Sequence, residues 1–365
     1  MALENYGKAE NKEMLVLINA DSKRAGCRLR WWNLNQIAKS THLTVKLNYF
    51  PSEKKLLEEY FPKFWPILPK SIKRLIQHIA LINHLWFLIT LISACVVVAG
   101  KPNNLRLIDC LRIARRFGTR IIIDACDIKP SYTNINEAFA IATYITIPTR
   151  GLIAKIPPKE RHKIRIIPDS LDRESLPREG RIDRIAFKER TYNDILWFGV
   201  IEASGPSERP SFSLFCDQII VSIQQLETHQ CRVTLVCSRS KEALQYLTQK
   251  LSPSSLPCSS REWSLQSMRE ELDRPGIVVI PYPEPIENCP KSANRIELSL
   301  YAGKKVVVNG LLPALDSELQ RHVITSKTSI NPGEISTKLV NTAAIRHYLD
   351  EKQNRINQLW CQVLH

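Results

Sequence analysis

Short apolar runs alternate with helically spaced apolar positions along the whole chain. In the first half, MLVLIN (14–19), HLTVKLNYF (42–50), CVVVAG (95–100), TRIIIDACD (119–127), YITIPT (144–149) and KIRIIPDS (163–170) predict strands. Between them, RLRWWNLNQIAKS (28–40) puts Trp31, Leu34, Ile37 and Ala38 on one helical face, and LRLIDCLRIARRFG (105–118) predicts a helix ended by Gly118. An irregular, charged stretch follows, and then the pattern restarts. DILWFGV (194–200), CRVTLVCS (231–238), IVVIPYP (277–283) and KKVVVN (304–309) predict strands. The helices of this half are predicted at 211–229, 241–251, 264–276, within KSANRIELSLYAGKK (291–305), and over the final segment from 342, with a turn rich in Ser and Pro after 251. Near-continuous apolar strands between helices are the pattern of a parallel sheet covered on both faces. The expected fold class is therefore α/β, with two doubly wound Rossmann-like domains facing a cleft. The predicted divisions are a domain over 1–170, a linker over 171–192, a domain over 193–340 and a C-terminal helix over 341–365.

Charge separates the two halves. The chain of 365 residues carries a net +15, and residues 1–165 hold all of it, with 27 Lys+Arg against 12 Asp+Glu. Residues 166–365 hold 24 of each. Nucleic acid and an anionic membrane surface are the usual partners of such an excess. No helix-turn-helix, zinc-finger, RNP or KH pattern is present, so no nucleic-acid partner is expected. The segment 75–100 lacks Asp, Glu, Lys and Arg and is long enough to span a bilayer. However, Gln77, His78, Asn83 and His84 interrupt its first half, and ACVVVAG at its end is β-branched like a buried strand. A buried helix running into a parallel strand is the expected reading. Phe61, Phe64 and Trp65 mix with Lys63, Lys70, Lys73 and Arg74, which suits peripheral membrane contact through 61–87; a solvated basic face is the alternative. The first dozen residues are polar and charged, unlike a signal peptide. Ten scattered cysteines form no C-x-x-C, which points to reduced thiols in a cytoplasmic protein and to no zinc site.

Ligands of open parallel sheets bind beyond the carboxyl ends of the strands. Four loops lie there. The loop 19–28 carries Gly26 and Arg28 and lacks G-x-G-x-x-G, so it is either an anion-facing turn or a plain connection. Asp124 and Asp127 end the strand RIIID-ACD, where a general base, a hydroxyl acceptor or a metal ligand would sit; Asp127 as a turn cap is the bland reading. Two carboxylates are too few to assign a metal. The loop 202–209 offers Gly205 and Arg209. Finally, Lys291, Ser292 and Asn294 open a predicted helix. Ser292 as an ordinary N-cap explains the serine but not Lys291, because a cation at a helix N-terminus is unfavourable unless an anion lies between them.

The strand WFG, the segment PGIVVIPYPE and KSANRIELSLYAGKKVVVN together resemble the nucleotide-sugar domain of GT-B glycosyltransferases, in particular bacterial surface-polysaccharide enzymes with a K-S-x-N-R…G-x-x-V-V segment. RIIIDACD resembles that family's aspartate-containing strand and KIRIIPDSLD the segment that leads into its linker, and the resemblance covers about residues 14–320. It implies transfer of a sugar from a UDP-, GDP- or ADP-sugar to a saccharide or lipid-linked acceptor, at the inner face of the membrane, with no further cofactor required. By position, Lys291, Ser292, Arg295, Gly205 and Arg209 would face the donor diphosphate. Glu284 and Glu287 would lie near the donor sugar or ribose, with Glu287 and Glu297 as candidate catalytic groups. Asp124 and Asp127 would lie on the acceptor side. Many retaining members carry a Glu-x7-Glu pair, whose two places here are Pro290 and Leu298. Either transfer uses another arrangement, or the chain is a non-catalytic module that binds a nucleotide sugar or a partner.

Overall fold

A computed structural model of the chain describes residues 13–18, 30, 34, 37, 44–48, 84–126, 128, 132–177, 194–201, 205–252, 254–274, 276–285, 292–337 and 340–365. The chain forms two compact units, Met1–Pro168 with Ile356–His365, and Asp169–Arg355. The first boundary lies two residues before the expected one. The described part of the expected linker, 171–177, belongs to the second unit, and the last helix is divided between both.

The first unit holds strands β1 (Glu13–Ile18), β2 (Thr44–Asn48), β3 (Val96–Gly100), β4 (Arg120–Asp124), β5 (Tyr144–Ile147) and β6 (Ile164–Ile166). All pair in parallel in the order β2-β1-β3-β4-β5-β6. Residues 84–93 are helical (α1), so the apolar stretch 75–100 ends as a helix leading into β3. Among the described residues, no helix is long and apolar enough to cross a membrane. Helix α2 (Leu105–Arg116) is capped by Asn104, whose side chain accepts from the Arg106 and Leu107 amides, and buries Leu107, Ile108, Leu111 and Ala114. Helix α3 (Ile135–Ile141) follows. Alternation in the central strand divides the core. Val97 and Ala99 pack with α1, α2 and α3 on one face. Val96 and Val98 pack with Leu34, Ile37, Ile356 and Trp360 on the other.

The second unit holds β7 (Asp194–Gly199), α4 (Pro210–Val221), α5 (Ile223–Thr228), β8 (Arg232–Cys237), α6 (Ser240–Leu251), β9 (Cys258–Glu262), α7 (Leu265–Asp273), β10 (Ile277–Val279), α8 (Asn294–Tyr301), β11 (Lys305–Val308), α9 (Ser317–Gln320), β12 (Val323–Thr325), α10 (Pro332–Thr337) and α11 (Thr342–Leu364). Its strands are also all parallel, in the order β12-β11-β10-β7-β8-β9. Strand order therefore reverses between β7 and β10, the crevice where a doubly wound sheet binds ligands. Ile195, Trp197, Val233 and Leu235 face α4, α5 and α6, while Leu196, Phe198, Val278 and Val306 face α7, α8 and α11.

Two expectations change. The single helix expected at 211–229 breaks at Ser222, whose hydroxyl bonds the Gln218 carbonyl at 2.7 Å and accepts the Ile330 amide at 2.5 Å. Strands β9 and β12, absent from the prediction, close the two edges of the second sheet. The eight described cysteines are free thiols, and burial pushes Cys231 and Cys258 up to about 11 and Cys237 up to about 12, which makes them inert near neutral pH.

The turn after α8 fixes how that helix meets β11. Gly303 takes φ +74, its amide donates to the Leu300 carbonyl, and the Lys304 amide reaches back to Ser299, so the last carbonyls of α8 are satisfied in a Schellman turn. Gly303→Ala must force a side chain into this left-handed conformation and is expected to cost about 1–2 kcal/mol in urea unfolding; an unchanged midpoint would show that the turn adopts another backbone.

Candidate anion site at the switch point of the second sheet

Because every crossover helix of a parallel sheet starts at the same edge, the carboxyl edge of the second sheet collects the unpaired N–H groups of several helices. Four helices of eight residues or more follow β7, β8, β9 and β10, and they satisfy those groups differently. At α6, the Glu262 carboxylate takes the Arg239 amide at 3.3 Å and the Ser240 amide at 3.2 Å. At α7, Ser264 and Ser267 cap each other reciprocally at 3.0 and 2.9 Å. At α4 and α8, no described side chain caps the first turn. These two helices follow β7 and β10, the strands on either side of the switch point. At α4, Pro210 carries no N–H and the Arg209 and Phe212 amides donate to the Pro206 and Arg209 carbonyls, which leaves the Ser211 amide; that amide, the first-turn amides of α8 and the two helix dipoles favour an anion there.

The side chains around the two openings fit the same ligand chemistry. Arg209 stands at the N-cap position of α4, and Gly205, at φ +113, starts the short turn Pro206–Glu208 that leads to it. Ser211 lies in the first turn of α4; it is only 6% exposed, and its hydroxyl has no hydrogen-bond partner among the described residues. On α8, Ser292 is not the cap. The cap position is Ala293, and Ser292 lies half-buried just ahead of it. Arg295 reaches across to β7, where its Nη1 donates to the Phe198 carbonyl at 2.9 Å, and its guanidinium lies 5.7 Å from the Tyr282 ring centre. Gly199 leaves room for it: a Cβ there would lie 3.0 Å from Trp197 Cη2 and 3.4 Å from Arg295 Nη1. Two amide clamps hold the surrounding backbone. Asn309 bonds the Tyr282 amide at 2.8 Å and its carbonyl at 2.7 Å, and Ser238 bonds the Ile201 amide and carbonyl, each at 2.9 Å. Asn294 donates to Asp169 at 2.8 Å.

Not every cation near α8 serves this edge. Lys304 donates to the Glu271 carbonyl at 3.0 Å and also to that of Arg274, and Lys305 donates to the Ile335 carbonyl at 2.8 Å. Both are buried against the C-terminal ends of α7 and α10, where a cation is electrostatically favoured.

No protein-family model matches the chain, and a search of curated proteins finds no match. Solved structures do match it in shape. TarM superposes with a TM-score of 0.61 at 10% identity, over 97% of this chain and 99% of that one. A glycosyltransferase from Rickettsia africae ESF-5 superposes at 0.59 with 10% identity, over 97% and 98%. Alr3699/HepE from Anabaena, solved with UDP, superposes at 0.56 with 12% identity, over 97% and 99%. The fold is that of the GT-B glycosyltransferases.

The expected site residues fall into three groups. Gly205, Arg209, Ser292 and Arg295 surround the two open helix starts, and Glu284 is exposed five residues beyond β10. Asp124 belongs to the first unit, buried at the end of β4; it accepts the Thr146 hydroxyl at 2.8 Å and lies 3.6 Å from Arg30 Nε. Its carboxylate thus serves a buried pair. Glu297 faces the interior at 3% exposure and pairs with Lys352 at 2.7 Å. Gly26, Arg28, Asp127, Glu287 and Lys291 lie outside the described residues. Leu298, the expected place of the second glutamate, packs in the core. Ser211 is not among the residues that the pattern alone singles out. The signal for Ser211 was the triplet Arg209-Pro210-Ser211, since Pro at the first helical position places the next residue in the first turn.

Ser211→Ala separates a ligand group from a structural one. Deleting a buried hydroxyl that has no partner should leave stability unchanged or slightly raised, while removing one hydrogen bond of roughly 1 kcal/mol from a bound anion. Isothermal titration with nucleoside diphosphates and a melting curve on the same variant decide it; a clear loss of melting temperature with unchanged affinity would remove Ser211 from the site.

Proposed function

We propose that this protein is a glycosyltransferase that moves a sugar from a nucleoside-diphosphate donor to a saccharide or lipid-linked acceptor in cell-surface polysaccharide synthesis. The observation that carries the reading is the pair of uncapped helix starts, α4 and α8, flanking the switch point of the second sheet with Arg209 and Arg295 beside them. In sugar transfer from such a donor, the bond between the anomeric carbon and the diphosphate oxygen breaks and negative charge develops on the leaving diphosphate. Fixed N–H groups and guanidinium groups aimed at that charge stabilise the transition state without reorganising. Arg295, Arg209, Ser211, Ser292 and Lys291 are the groups assigned to this task, with Glu284 and Glu287 near the donor sugar or ribose. The acceptor is assigned to the first unit, whose excess of basic residues suits an anionic saccharide or lipid. Leu85, Trp86 and Ile89 are exposed on α1, which follows the basic, aromatic segment 61–83 in the sequence, and this supports peripheral contact with the inner face of the membrane through 61–87.

A second reading is a module that binds a nucleotide sugar without transferring it. It is favoured by Leu298 in place of the expected glutamate and by the engagement of Glu297 in an internal ion pair. Both readings predict that one of the UDP-, GDP- or ADP-sugars raises the melting temperature, with a stabilisation of about 2.7 kcal/mol at a hundredfold excess over Kd. Arg295→Ala should abolish most of that shift. Release of the free nucleotide in the presence of acceptor extract distinguishes transfer from binding. No shift with any of the three donors would overturn both.

A further inference from the structure

One ammonium ties the back of α8 to two other elements. Lys352 Nζ, on α11, donates to Glu297 Oε1 on α8 at 2.7 Å and to Asp316 Oδ2, at the start of α9, at 2.7 Å. Glu297 and Lys352 are both buried, on helices whose apolar residues Ile296, Leu298, Ile345 and Leu349 belong to one core. Burial pushes the Glu297 carboxyl above the usual carboxylate range, and the Lys352 charge opposes that. For Lys352, burial alone would favour the neutral amine; the charges of Glu297 and Asp316 outweigh it and hold the ammonium above the ordinary lysine range. One turn further along the same face of α8, the Tyr301 carbonyl accepts from Arg346 Nε, again from α11, at 3.2 Å. So α11 grips α8 at two successive turns.

A buried pair of this kind contributes little stability that well-packed apolar side chains would not also supply. What it adds is direction, because a short, charge-assisted bond fixes one rotation of a helix where an apolar contact tolerates several. Arg295 is two residues from Glu297, about 200° around the helix axis. Holding Glu297 inward therefore aims Arg295 at the Phe198 carbonyl and the switch point. We infer that Lys352 is a positioning residue for the anion site: through Glu297 it sets the rotation of α8 and hence where Arg295 and the first-turn amides face. This rests on the donor reading given above.

The test compares wild type, Lys352→Arg, Lys352→Met and the double variant Glu297→Leu/Lys352→Met, using whichever of UDP, GDP and ADP binds wild type, together with its monophosphate. The double variant removes both buried charges, so it should melt close to wild type even where Lys352→Met alone is destabilised. If Lys352 only supports the fold, the double variant recovers affinity along with stability. If it positions α8, the double variant stays folded while its diphosphate affinity falls about tenfold or more, with a smaller loss for the monophosphate, since a displaced binding group costs up to about a hundredfold. Lys352→Arg should keep part of the affinity. Diphosphate affinity within about twofold of wild type in the folded double variant overturns the inference and leaves the donor reading intact. Wild type that binds none of the three diphosphates overturns both.

Discussion

A helix start in a parallel sheet is a debt of hydrogen bonds that something must meet. In the second unit all six strands run the same way, so the starts of α4, α6, α7 and α8 gather at one edge, each with N–H groups that the helix itself cannot satisfy. Two of the four are closed from within, by Glu262 and by the Ser264–Ser267 pair. The other two, at the strands where the sheet order reverses, carry no cap among the described residues. The rest of the unit reads as support for that difference. Gly199 clears a path for Arg295, Asn309 and Ser238 pin the loops after β10 and β7, and the Lys352 triad holds α8 from behind.

Most of this fold was legible in the order of apolar runs, because strands buried on both faces leave a continuous apolar signature that solvated elements do not. The central strands of both sheets, β3, β4, β7, β8, β10 and β11, lie where those runs are. The edges are another matter. Strand β9 reads CSSRE and is mostly half-exposed, and β12 has three residues; an edge strand needs neither apolar face nor length, so periodicity does not mark it. The break at Ser222 was equally silent, since it depends on a hydroxyl meeting the Ile330 amide from a segment more than a hundred residues away.

The candidate site was legible in part, and for a stated reason. Residue type and order around 291–295 pointed to an anion, and the structure places Arg295 at the switch point. What the sequence could not carry was the state of each cap. Ser292 looked like an ordinary N-cap, yet the helix begins one residue later, with Ala293 at the cap position. Glu262 gave no sign that it would close α6 from a neighbouring strand. Charge in the string did not show its partner: Lys304 and Lys305 donate to helix carbonyls, and Glu297 turns inward to Lys352. Sequence spacing gives the face of a helix only to within its rotation, and a partner from α11, fifty-five positions on, decides it.

The claim that α4 and α8, and not α6, present open N–H groups to a nucleoside diphosphate is tested most directly by amide hydrogen exchange, which reports protection residue by residue. The account predicts that the nucleotide slows exchange in the first turns of α4 and α8, around Ser211 and Arg295, and leaves the first turn of α6, already held by Glu262, unchanged. Protection appearing at α6, or at neither α4 nor α8, would contradict it.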